Sequence, residues 1–129
     1  MTDDVRAALH TLITETEQKG RSLRESIDAV PLAVLVADDS GSYVMANAAA
    51  CSLTGYSEAE LRKLSVWHLT PDVHEREAET LWRAFRQQRE QFGTYRLLLK
   101  DGRTTVTSYA ARANIAPGLH VSVLGGPLR

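Results

Sequence analysis

Cysteine occurs once in this chain, at Cys51, so no internal disulfide can form and the fold rests on its core alone. Apolar runs are short, none near the ~20 residues that a membrane-crossing helix needs. The opening residues MTDDVRAALH lack the basic and apolar regions of a secretory leader. These absences predict a cytoplasmic protein that does not touch a membrane. Charge of one sign is also lacking: 15 basic residues stand against 16 acidic ones, which argues against a nucleic-acid partner. Nucleophile elbow, P-loop and H-E-x-x-H are all missing, so nothing points to an enzyme. What is present, 43% hydrophobic and 24% charged residues over 129 positions, is the balance of one globular domain.

Thr2 with Asp3 and Asp4 is a helix start, since a hydroxyl can cap free N–H groups and acids suit the positive helix end. Val5, Leu9 and Leu12 then recur at spacings of four and three, a narrow apolar stripe on an otherwise polar helix. Gly20 interrupts it. Ser22 and Glu25 form a capping box for a second helix reaching about Val30. This jointed N-terminal arm lies far from the rest of the apolar pattern, and an exposed stripe is a liability. Val5, Leu9, Leu12 and Leu23 are therefore expected to form the interface of a homodimer.

Pro31 ends the arm. Leu32 to Ala37 reads as a buried strand, Asp38-Asp39-Ser40-Gly41 as a turn, and Ser42 to Ala46 as the strand pairing back. Asn47 caps a short helix that Gly55 stops, and Ser57 with Glu60 caps another. Thr70 with Pro71 is expected to start a long helix. Its apolar side carries Val73, Ala78, Leu81, Trp82 and Phe85; Glu75, Arg83, Arg86 and Arg89 belong to a solvated side. After Gly93 the period becomes that of strands. Asp101-Gly102 marks a hairpin between residues 94–100 and 103–113. A last strand over 118–124 alternates Leu119, Val121 and Val123 with His120 and Ser122, which suggests one buried face.

The stretches LVADDSGSYVMANAAACSLTGYSEAEL, LTPDVHERE and LLLKDGRTTVTSYAARA, in this order, resemble the PAS domains from about Ile27 to Leu124. The resemblance implies an α+β fold, a five-stranded antiparallel sheet with helices inserted between strands 2 and 3. It implies residues 28–125 as the PAS domain, 1–27 as a helical arm for dimerisation and signal relay, and 126–129 as a tail. The implied function is that of a sensory module, of the kind found in bacterial regulators, which binds a small ligand and addresses a downstream effector. A ligand-free interaction domain is the alternative. Gly125-Gly126-Pro127 stands where many relatives carry Asp-x-Thr before an effector helix, and is expected to end the last strand.

Cofactors used by relatives fit poorly. Haem-binding relatives use a histidine on the long helix, whereas His74 lies a turn too early and Glu77 holds that register. Light-sensing flavin relatives need a cysteine near that helix, and Cys51 lies elsewhere, where it reads as a small packed side chain. The spacing of His68 and His74 is no recognised zinc pattern, so no metal is expected. In the PAS arrangement Trp67 and His68 line the space between helices and sheet; for Trp67, core packing is the default. Leu81, Phe85, Tyr95 and Tyr109 complete the expected cavity wall. Which face of the hairpin turns inward stays open.

Overall fold

Residues 2–128 are described in a computed structural model of the chain. The elements run α1 (Thr2–Ile13), a π-helical turn (Thr14–Gln18), α2 (Leu23–Ala29), β1 (Ala33–Asp38), β2 (Tyr43–Ala46), α3 (Ala48–Thr54) and α4 (Glu58–Leu61). A 3-10 turn (Val66–Leu69), α5 (Glu75–Gln88), β3 (Glu90–Leu98), β4 (Thr104–Ala116) and β5 (Leu119–Pro127) follow. The strands form one antiparallel sheet in the order β2-β1-β5-β4-β3, with α3 to α5 between the second and third strands.

Local signals act as their chemistry dictates. Ser22 and Glu25 exchange side chain and backbone bonds in a capping box, and Ser57 and Glu60 do the same. Asn47 Oδ1 accepts from Ala50 N–H at 3.0 Å to cap α3. At the Asp101-Gly102 turn, Leu99 N–H donates to the Arg103 carbonyl at 2.8 Å. The cap expected at Thr2, like the placement of the Glu75 side chain, lies outside the described residues.

Three boundaries differ from the sequence reading. Thr70 donates its hydroxyl back to the Val66 carbonyl at 3.1 Å, closing the 3-10 turn, so α5 begins at Glu75 and not at Pro71. Arg89, at φ 73°, swings the chain straight from α5 into β3, which places Gly93 inside that strand. β5 continues through Gly125-Gly126-Pro127, because Gly126 N–H finds the Thr107 hydroxyl at 3.0 Å and Pro127 still pairs with Thr107.

The largest correction concerns the arm. Side chains alternate between the faces of a sheet, and Val34, Val36, Ala110, Val121 and Val123 give one face an apolar centre. α1 and α2 lie on it. Val5, Leu9, Leu12 and Leu23 are 0%, 2%, 0% and 8% exposed and form one core with those strand residues. The four side chains expected at a dimer interface are therefore spent inside the chain. Burying each contributes about 1.5–3 kcal/mol, more than a two-turn coiled coil could return. The close approach also explains Gly125: a Cβ there would stand 2.3 Å from Ser108 Oγ and 3.2 Å from Val5 Cγ1.

Candidate functional site

The opposite face of the sheet presents Leu35 and Ala37 from β1, Tyr43 from β2, Tyr95 from β3, Tyr109 and Ala111 from β4, and His120 and Ser122 from β5. Above it lie Val66 and Trp67 of the 3-10 turn and Ala78, Leu81, Trp82 and Phe85 of α5. A cavity of about 440 Å³ separates the two layers. Its lining combines bulky aromatic rings with the small side chains of Ala37, Ala78 and Ala111, which leave space between the layers unfilled. Leu81, 51% exposed, marks where it meets solvent.

Three tyrosines dominate the floor. Tyr95 and Tyr109 pack edge to face with centroids 5.2 Å apart, and Tyr43 beside them is 6% exposed. None of the three hydroxyls has a hydrogen-bond partner among the described residues. Burial pushes all three well above or above the ordinary phenol value, so they remain donors.

At one end of the cavity His120, 2% exposed, meets Trp82 and Phe85 edge-on at 5.5 and 6.2 Å. Asn114, held at φ 56° in a bulge of β4, donates its N–H to His120 Nδ1 at 3.0 Å. That nitrogen therefore carries no proton. Nε2 must hold it and donates to Asp39 Oδ1 at 2.7 Å. Arg86 Nη1 reaches the same oxygen at 3.2 Å, and Trp82 Nε1 donates to the Asp39 carbonyl at 3.0 Å. Asp39, in the turn between β1 and β2, thus ties α5 to the sheet.

The His120 bond, and after it Arg86, hold the Asp39 carboxyl below the usual carboxylate range. A carboxyl whose folded pKa is depressed stabilises above its unfolded value, and loses that contribution as pH falls through the folded one. Asp39→Asn, which keeps an acceptor but removes the charge, is expected to lower the urea midpoint at pH 7. The two midpoints should converge below about pH 4. Equal differences at both pH values would assign the effect to shape instead of charge.

Of the expected wall residues, Trp67, Leu81, Phe85, Tyr95 and Tyr109 line the cavity, and the face of the hairpin carrying both tyrosines turns inward. His68 does not belong to it. The 3-10 turn points the imidazole to solvent, where Nδ1 accepts the Ser65 N–H at 2.9 Å. His74 is the exposed residue preceding α5. Cys51 is partly buried on α3, its thiol pushed up by that burial. Arg83 and Arg89 are exposed as expected, but Arg86 is engaged with Asp39. No group of three or more His, Cys, Asp and Glu side chains among the described residues could hold a metal ion. No helix among them is long and apolar enough to cross a membrane.

The sequence reading missed Tyr43 and His120. A signal for His120 existed in β1, whose unbroken apolar run implies cover on both faces. A strand beside it is then covered on both faces too, and the polar alternates of β5 cannot all face water.

Comparisons with known proteins agree with this architecture. The family model of the PAS fold matches residues 27–114. A domain of a sensory box sensor histidine kinase/response regulator from Geobacter sulfurreducens is 18% identical, with TM-score 0.71 over 84% of this chain and 97% of that one. The PAS domain of an HTR-like protein from Haloarcula marismortui is 18% identical, with TM-score 0.69 over 88% and 95%. A PAS domain, in complex with ethanol, of a LuxR-family transcriptional regulator from Burkholderia thailandensis is 16% identical, with TM-score 0.64 over 82% and 97%. No curated protein matches. With the family model spanning more than half its length and the sheet, inserted helices and inner cavity in place, the chain belongs to the PAS family.

Proposed function

We propose that this chain is a sensory module that takes a small molecule into the cavity between α5 and the sheet and passes its presence to the N-terminal helices. The single observation behind the reading is the cavity of about 440 Å³, walled by Trp67, Phe85, Tyr95 and Tyr109, in a protein with the fold of signalling modules. A relative of the same fold holds ethanol, a small neutral molecule. A route for the signal follows from strand alternation. In β4 and β5 the cavity residues Tyr109, Ala111, His120 and Ser122 alternate with Ala110, Val121 and Val123, which share a core with α1. A ligand that shifts these strands shifts the surface on which α1 rests.

Native and denaturing mass spectra of the purified chain, before and after incubation with a library of small neutral aromatics, test the reading. Extra mass that survives native conditions is expected in the wild type and is expected to disappear in Ala111→Phe, whose ring fills the floor. A wild-type chain that carries and binds nothing would leave a ligand-free interaction module.

A further inference from the structure

The chemistry of the cavity narrows what it can hold, and this step rests on the ligand-binding reading above. Among the described residues that line it there is no Lys, Arg, Asp or Glu. Asp39 and Arg86, behind His120, are paired with one another. An ionised ligand would leave water for a site with no counter-charge, which is costly.

Donors and acceptors can be followed one by one. Thr70 gives its hydroxyl proton to the Val66 carbonyl. His120 gives its only proton to Asp39 and receives the Asn114 N–H on its other nitrogen, so the ring offers the cavity only its faces and edges. Among the described lining residues the hydroxyls of Tyr43, Tyr95, Tyr109 and Ser122 and the Trp67 indole N–H have no protein partner, while Gln88 and Gln91 are exposed to water. The three phenols are the largest group of such donors, with the Tyr95 and Tyr109 rings in contact. A hydrocarbon filling the cavity would strip them of water and give nothing back, whereas an oxygen acceptor replaces that bond. Trp82 and Phe85 meanwhile provide flat apolar surface on the opposite wall.

We infer that the cavity selects an uncharged aromatic molecule bearing a carbonyl oxygen, set against the hydroxyls of Tyr43, Tyr95 and Tyr109. Three probes of nearly one shape test it by calorimetric titration at pH 7: 2-acetylnaphthalene, 2-ethylnaphthalene and 2-naphthoate. The ketone is expected to bind about tenfold tighter than the hydrocarbon, the scale of one net hydrogen bond, and the anion more weakly than either. In the Tyr43→Phe, Tyr95→Phe, Tyr109→Phe triple variant the gap between the ketone and the hydrocarbon should close, the ketone binding no more tightly than the hydrocarbon. A hydrocarbon that matches the ketone in the wild type, or a preference for naphthoate, overturns this selectivity while the cavity still binds. Binding of none of the three, together with native spectra free of extra mass, overturns the sensory reading as well. The ranking in the wild type decides the matter even if the triple variant does not fold.

Discussion

Leu9→Glu combined with Leu12→Glu is expected to leave no stably folded domain at 25 °C. Both side chains are at most 2% exposed, inside a core that includes Val34, Val36, Val121 and Val123 of the central strands. Truncating one buried leucine to alanine costs about 2–5 kcal/mol, and a carboxylate at the same place adds the cost of an unpaired buried charge. Domains of this size hold only about 5–15 kcal/mol in total. Leu9→Ala alone should cost about 3 kcal/mol and lower the melting temperature by about 10 °C. Near-UV circular dichroism and urea titration measure both, and light scattering separates this outcome from its rival. Had the stripe served a dimer, the double variant would be a monomer with an intact melting transition.

Asn47→Ala is expected to be the most damaging single polar substitution, at about 4 kcal/mol. The side chain is 3% exposed and saturated with backbone partners. Oδ1 accepts from Val34 and Ala50 N–H, both at 3.0 Å, while Nδ2 donates to the Ile27 and Leu32 carbonyls, both at 2.9 Å. One amide therefore ties α2, the start of β1 and the N-terminus of α3 together. Alanine would leave the Val34 and Ala50 N–H groups and the Leu32 carbonyl orphaned, each costing about 1–3 kcal/mol if none finds water, while the Ile27 carbonyl keeps the Val30 N–H. Asn47→Asp refines the test. Its carboxylate would face the Ile27 and Leu32 carbonyls, which raises its folded pKa above the unfolded value. The penalty is then absent below the unfolded pKa and complete above the folded one, so this variant should gain stability relative to the wild type as pH falls from 7 to 4. A flat difference across that range would show that shape, and not the missing donors, governs the site.

How far the sequence alone could reach follows from the range of the interactions concerned. Ser22 with Glu25, Asn47 with Ala50, Ser57 with Glu60 and the Asp101-Gly102 turn each join residues no more than four apart, so their partners are visible in the chain. Apolar periodicity placed Phe85 and Leu81 on the side of α5 toward the sheet; strand alternation grouped the residues of each hairpin strand by face but left open which face turned inward, and only the cover of α5 brought Tyr95 and Tyr109 to the cavity floor. Periodicity identifies which residues must be covered and is silent on what covers them. The stripe of α1 therefore looked unpartnered, although its partner is the far face of β4 and β5, about a hundred residues away in the sequence. The same limit hid His120: its alternation with valines reads as water on one side until the helices lie on both faces of the sheet. Its bond to Asp39, across 81 residues, fixes its tautomer and its edge of the cavity. Caps, turns and apolar stripes are short-range chemistry and were determined by the sequence itself. Which stripe met which strand, and which hydroxyls were left facing an open space, was decided by the packing of distant segments, because only there does one side chain's burial depend on another's.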